Sequence, residues 1–447
     1  MTSFHLSVRV SAVSLLALLA GSATASDLMG IYRDALNQDP VFASARSAYM
    51  ATLEKLPQGK ALLLPQVNAQ AATNYNDTEN KFKGAGAPGD RHADYWDYRI
   101  GVTVTQPLYR KANNASYEQA KVQTAQAETQ VQLAAQDLML RVSQAYFDVL
   151  LAQDNLTVIR SQKTAIAEQL EQAKRNFTVG TATITDAREA QARYDLVIAQ
   201  EIGAVNDLEV KIRALSQLTG KTPGSLVQLA DPIVLNPPQP NDMPQWVDQA
   251  TQSSLQIINA QQNVEVAARE VDKARANTGL TADLIGSLTQ SHADSSAFGY
   301  GSDTRAAIIG VQLNYPLYAG GSLDSKVREA AANQNRAKDD LENARRTVVQ
   351  NTRQAFLGVT SGLAQVKALE QALGSTQLQL EATKLGQDVG VRTGVDVLNT
   401  QQQLASARRD LVQARYNTIL NQLKLKAAVG KLTDTDLNNV NSMLRKE

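Results

Sequence analysis

The sequence predicts a mixed α and β chain, a sheet of four membrane strands joined to very long coiled helices. Three observations predict it: an internal repeat, two proline-free stretches carrying a coiled-coil seam, and four segments of alternating polarity. At an offset of 210 residues, Gln144-Ala145-Tyr146 aligns with Gln354-Ala355-Phe356, Val179-Gly180 with Val389-Gly390, and Gly220-Lys221 with Gly430-Lys431. Thr183 and Asp186 fall on Thr393 and Asp396, while Pro107-Leu108-Tyr109 matches Pro316-Leu317-Tyr318 one residue out of step. The period is far longer than that of solenoid tiles, so one supersecondary assembly occurs twice.

The long helices come first. Val142, Ala145, Val149, Ala152, Leu156, Ile159, Ile166, Leu170, Ala173 and Phe177 recur in steps of three and four residues, with Lys163 the one break. Such spacing is a coiled-coil seam. Ala355, Val359, Val366, Leu369, Leu373, Thr376 and Leu380 repeat it in the second half. With no proline inside, residues 112–178 and 322–388 each read as one helix of roughly 100 Å at 1.5 Å per residue. Each stops at a glycine, Gly180 or Gly390, and a return helix half as long starts near Asp186 or Asp396 and runs to Gly220 or Gly430. Half of each long seam would then be bare, so residues 28–56 and 245–277 are expected as second short helices stacked end to end with the return ones.

Strands occupy the remaining slots. Trp96, Tyr98, Ile100, Val102 and Val104 alternate with Asp97, Arg99, Gly101, Thr103 and Thr105. Residues 67–76 alternate likewise, as do Leu280, Ala282, Leu284 and Leu288 and then Ile309, Val311, Leu313 and Tyr315, although Ile285 and Ile308 break the pattern. About ten residues, apolar on one side and polar on the other, is the pattern of an outer-membrane barrel strand. A sheet in lipid must close, because hydrocarbon cannot satisfy its edge hydrogen bonds. Four strands are too few to close, so several chains must each contribute a sector: two would supply 8 strands and three 12. The segments Asp77 to Asp94 and Gln290 to Asp303 are expected as outward loops, and the Pro-rich stretch from Lys221 to Pro244 joins the halves.

Composition adds the compartment. Met1 to Ala25 has Arg9, an apolar core from Val10 to Ala20 and an Ala23-Thr24-Ala25 end, the pattern of a signal peptide too short to span a membrane. Among 447 residues there is no cysteine, which excludes disulfides, thiolate metal sites and a lipid-modified cysteine. Lys+Arg and Asp+Glu are both 44, so no basic surplus points to nucleic acid. No Ser/His/Asp elbow, phosphate loop or spaced ligand cluster is present, so no catalytic residue, metal site or cofactor is expected and the chain reads as no enzyme. His92 and His292 fall in the outer loops, and Trp96 and Tyr98 read as an aromatic girdle at the lipid boundary.

Together these features resemble the TolC family of outer-membrane efflux and type I secretion ducts over nearly the whole mature chain. The motifs are Leu62-Leu63-Leu64-Pro65-Gln66, Thr105-Gln106-Pro107-Leu108-Tyr109, Val179-Gly180 through Thr185-Asp186, Pro316-Leu317-Tyr318-Ala319-Gly320-Gly321, Val389-Gly390-Val391-Arg392-Thr393-Gly394-Val395-Asp396-Val397-Leu398, and Ala414-Arg415-Tyr416-Asn417 onward to Gly430. The resemblance implies a homotrimer in the bacterial outer membrane, extending into the periplasm: a barrel of four strands per chain, continued as a long periplasmic α-helical barrel with an equatorial domain. It divides the chain into a signal peptide (1–25), a first repeat (26–220), an equatorial linker (221–244), a second repeat (245–430) and a C-terminal equatorial segment (431–447). Implied partners are a periplasmic adaptor protein, an inner-membrane transporter of ABC, RND or MFS type, and outer-membrane lipid.

The resemblance also implies a periplasmic entrance closed by helix hairpins. Asp396 takes the first position of an aspartate ring, and Asn399 stands at the second, implying one carboxylate ring rather than two. A closing network falls on Arg392, Arg415, Thr185 and Asp186, and Gln387 stands where a tyrosine is expected. Residue chemistry alone also allows Asp186 and Asp396 to be N-cap aspartates, and the arginines to lie on a solvated face. The alternative to a transport duct is a non-conducting, envelope-spanning coiled-coil tether, which has no use for four amphipathic strands; a passive porin would not need such long helices.

Overall fold

The computed structural model describes residues 26–445 apart from 88, 182 and 297–299; the expected signal peptide lies outside the described residues. The two long helices are α4 (Lys111–Thr178) and α8 (Ser322–Asp388), within a residue of the ends read from the seam. Their return helices are α5 (Ile184–Thr219) and α9 (Gly394–Ala428). Leu156, Ile159, Ile166 and Leu170 of α4 are buried against Ala190, Val197 and Ala204 of α5. Each large side chain of that seam contributes about 1.5–3 kcal/mol relative to exposure. Val366 packs with Leu411 and Ala414, and Leu380 with Val397 and Leu404, to zip α8 to α9. Phe177, the last seam residue, is exposed, so the first seam opens just before its turn. The seam break is filled by charge: Lys163 and Arg160 both pair with Glu201 of α5.

The second short helices are broken, where one helix each was expected. Residues 28–61 form α1 (Leu28–Gln38), α2 (Pro40–Leu53) and α3 (Lys55–Ala61), and the second half has α6 (Met243–Ser253) and α7 (Leu255–Ala276). The first break follows from Pro40, which forces Asp39 out of the helical region to ψ 117°. Asp39 then caps α2 through Phe42 N, 2.8 Å away. Ser254 makes the equivalent break without proline, at ψ 125°. Both breaks lie where a return helix ends: Gly220, with φ +71°, abuts the Gln38 side chain, and Gly430, with φ +72°, abuts the Ser253 carbonyl. The expected end-to-end stacking is therefore present, with a kink at each junction.

The strands are β1 (Gln66–Asn80), β2 (Arg91–Tyr109), β3 (Thr281–Ala293) and β4 (Ser302–Asn314), an antiparallel sheet in the order β1-β2-β3-β4. Register places Val67 opposite Val104, Ala71 opposite Ile100, Val102 opposite Leu288 and Leu284 opposite Val311, so one face is a continuous apolar band. That band is unoccupied, with Ile309 81% and Leu288 65% exposed. Trp96 meets Tyr75 across the β1–β2 pair and stacks on Tyr98. The strands run beyond the alternating segments, to Asn80 opposite Arg91 and to Ala293 opposite Ser302, so the expected loops shrink to residues 81–90 and 294–301. Backbone pairing continues there without apolar side chains, because past the hydrocarbon both faces can be wet. The bulge between Pro107 and Tyr109 follows from a proline that has no N–H to give the ladder. Among the described residues no helix is long and apolar enough to cross a membrane.

Halfway along α4, Ser26, the inter-repeat segment and the stretch around Leu444 weave together. Ser26 bridges to Leu226, and Leu229 to Leu444. The Tyr146 hydroxyl donates to the Val227 carbonyl at 2.7 Å, and Leu226, Leu432, Leu437, Val440 and Leu444 join Leu28, Ile31 and Phe147 in the largest core. A short helix, α10 (Asp434–Asn441), closes this belt.

Candidate functional site at the hairpin tips

Both long helices end by the same device. The Thr181 amide donates to the Asn176 carbonyl at 2.9 Å around Gly180, and Val391 N to the Gly386 carbonyl at 2.9 Å around Gly390. The two glycines have φ +80° and +81°, a conformation that side chains disfavour.

The return helices then start in capping boxes, which corrects the reading of the two aspartates as N-caps. The N-caps are Thr183 and Thr393, with Asp186 and Asp396 at N3. Asp396 Oδ2 accepts from both the amide and the hydroxyl of Thr393 at 2.9 Å, and Asp396 N donates back to Thr393 Oγ1 at 3.2 Å. The Thr393 amide chiefly, then its hydroxyl and the nearby Arg392 charge, hold the Asp396 carboxyl below the usual carboxylate range. Asp186 makes the matching bonds to Thr183, whose hydroxyl also meets that of Thr185. The side-chain stem of Arg392 lies over Gly386, a position only a glycine leaves open.

Within one chain, Arg392 is not brought to Thr185 or Asp186: those two bond to Thr183 at the start of α5, while the Arg392 stem lies over Gly386 at the other tip. Arg415 is placed elsewhere altogether. It lies 19 residues beyond Asp396 on α9, roughly 28 Å along the axis. There its guanidinium meets Glu370 Oε1 of α8 at 2.9 Å and Asp231 Oδ1 of the inter-repeat segment at 3.3 Å. Leu235 packs beside it on Val366, Leu411 and Ala414, and Gln422 donates to the Asn236 carbonyl. Arg415 therefore fastens the linker to the inner hairpin, and the expectation that it joins the tip network is not what this geometry contains. The sequence could not reveal this, because Asp231 is 184 residues away.

Bonds between the hairpins join Asn399 and Gln387, both named from the sequence, to Arg193 and Gln169, which the sequence did not single out. Arg193 Nη2 of α5 donates to Asn399 Oδ1 of α9 at 2.9 Å. Gln387 Nε2 reaches Gln169 Oε1 of α4 at 3.5 Å, an amide pair where a tyrosine was expected. Higher up, the Tyr416 hydroxyl donates to Asp154 Oδ2 of α4 at 2.8 Å, and its ring stacks on Phe147. Burial pushes the Asp154 carboxyl up, opposed by the bond from Tyr416. Among the described residues no group of His, Cys, Asp or Glu is arranged to hold a metal ion.

An apolar band on a four-stranded sheet, set on two long hairpins with turned tips, matches proteins of known kind. The family model described as outer membrane efflux protein matches residues 31–221 and 246–431. The outer membrane protein TolC of Vibrio cholerae is 34% identical over 429 residues, covering 96% of each chain. The proteases secretion protein PrtF of Dickeya chrysanthemi is 28% identical over 94% of this chain and 92% of its own. In fold, the CmeC outer membrane channel of Campylobacter jejuni superposes with a TM-score of 0.78 at 16% identity, over 99% of this chain and 98% of that one. The chain belongs to the outer membrane efflux protein family and is an outer-membrane channel of the efflux and type I secretion class, reaching from that membrane into the periplasm.

Proposed function

We propose that three copies close a barrel of twelve strands, four from each, above a periplasmic tunnel of paired helices, and that this duct carries small molecules or proteins delivered by an inner-membrane transporter. The observation that carries this reading is the sheet itself: β1 and β4 are its two edges, and its apolar face is uncovered. A lipid-embedded sheet cannot keep such edges, so β1 of one copy must pair with β4 of the next. The Ser26, Leu226 and Leu444 weave supports an equatorial belt built from the linker, the segment at Ser26 and the segment around Leu444. Tyr75, Trp96 and Tyr98 suit the lipid boundary.

In this reading the hairpin tips form the periplasmic entrance, a periplasmic adaptor binds there, and the transporter supplies the energy. Asp396 contributes one carboxylate ring. Arg392, exposed at the tip, is the residue free to reach Thr185 or Asp186 of a neighbouring copy. A single cysteine placed on β1 and another on β4 test the assembly, since the natural chain has none. Oxidation should give a covalent trimer; a covalent dimer, or no cross-link in membrane-inserted protein, overturns it.

A further inference from the structure

Consecutive residues near the start of α9 face different neighbours. Val397 is buried with Leu380 and Leu404, inside the α8–α9 pair. Leu398 is buried in the α4–α5 core with Leu170, Ala190 and Val197. Asn399, next in line, is exposed on the flank toward α5 and accepts from Arg193 Nη2. The Arg193 guanidinium is already oriented by Glu189, one turn earlier on α5, through Nη2 at 3.0 Å and Nε at 3.3 Å. One carboxylate on its own helix thus aims the fork, and a neutral amide on the other hairpin receives it. Leu398 and Asn399 together fix α9 against α5, the first by burial and the second by direction.

We propose that Arg193 and Asn399 form a clasp between the outer hairpin (α4–α5) and the inner hairpin (α8–α9) that sets how readily the tips part. This deepens the gated-duct reading and rests on it. Asparagine at 399 makes the clasp a charge-to-amide bond, weaker than the ion pair a carboxylate would give there and so easier to release. Each chain carries one clasp, so the effect of a change is repeated in every copy of the assembly.

The test has two readouts on the full mature protein. Currents are recorded in a planar bilayer, and the tip spacing is read from spin labels on cysteines replacing Val179 and Val391, both exposed at the turns. Arg193→Ala should raise the resting conductance roughly threefold or more and lengthen the label distance. Asn399→Asp should do the reverse by supplying a carboxylate to Arg193. Combining the two should restore a loose, more conductive state. If Arg193→Ala leaves the tip spacing unchanged, or Asn399→Asp loosens it with Arg193 present, the clasp is overturned and Asn399 is only a pore-facing position. Assembled wild-type protein that passes no current would defeat the duct reading instead, and the label distances would still decide the clasp.

Discussion

The Tyr416 hydroxyl lies 2.8 Å from Asp154 Oδ2, joining the second repeat's return helix to the first repeat's long helix through a partly buried bond. Removing the donor leaves an acid in an apolar seam. Tyr416→Phe should therefore lower stability by about 1–3 kcal/mol, read as a fall in Tm by circular dichroism.

Asp154 also makes a pH prediction. Its carboxyl is raised in the fold by burial, so its contribution is complete below the unfolded carboxylate pKa and is lost as pH rises through the higher folded value. Asp154→Asn keeps an acceptor for Tyr416 and cannot ionise. The variant should gain Tm over wild type as pH rises from 4 to 8; a gain that shrinks with pH contradicts the assignment.

Asp39 behaves oppositely. Both its oxygens are gripped by Arg141, at 3.1 and 2.9 Å, and it caps α2. The bond from Arg141 holds its carboxyl low, so this stabilisation is present above the unfolded pKa and lost as pH falls through the folded one. Asp39→Ala removes pair and cap together and should cost about 2–4 kcal/mol at pH 7, discounted for the water that still reaches Arg141. The difference from wild type should shrink in strong acid.

Two glycines separate conformational strain from steric clash. At Gly390 an added Cβ meets open space, so Gly390→Ala carries only the left-handed backbone cost, about 1 kcal/mol. At Gly430 it would run into the Ser253 carbonyl as well. Gly430→Ala should lower Tm at least twice as far.

The two arginines of the implied closing network should part company. Arg415→Ser frees Asp231 and Glu370 and should lower Tm while leaving the tip spacing unchanged. Arg392→Ser should do the opposite. Equal effects of both on tip spacing would return Arg415 to the gate.

The helices were legible because the seam is long and no proline interrupts it: Thr178 and Asp388 end α4 and α8 where the glycine turns require. The apolar face of the sheet was legible from alternation, but its outer ends were not, since Asp77, Thr78 and Glu79 carry polar side chains on both faces while the backbone register runs on. The kink at Asp39 is written in Pro40; nothing local marks its counterpart at Ser254, which follows from the return helix ending against it. Contacts between the hairpins stayed hidden for another reason. Arg193 and Asn399 are 206 residues apart, and the visible Glu189–Arg193 spacing says nothing of a partner across the seam.

The most direct test of the gated duct is single-channel conductance of the purified protein in a planar bilayer, wild type beside Arg392→Ser. A small resting conductance that rises several-fold in the variant is expected. Correctly assembled protein that forms no channel would contradict it and favour a tether between envelope layers.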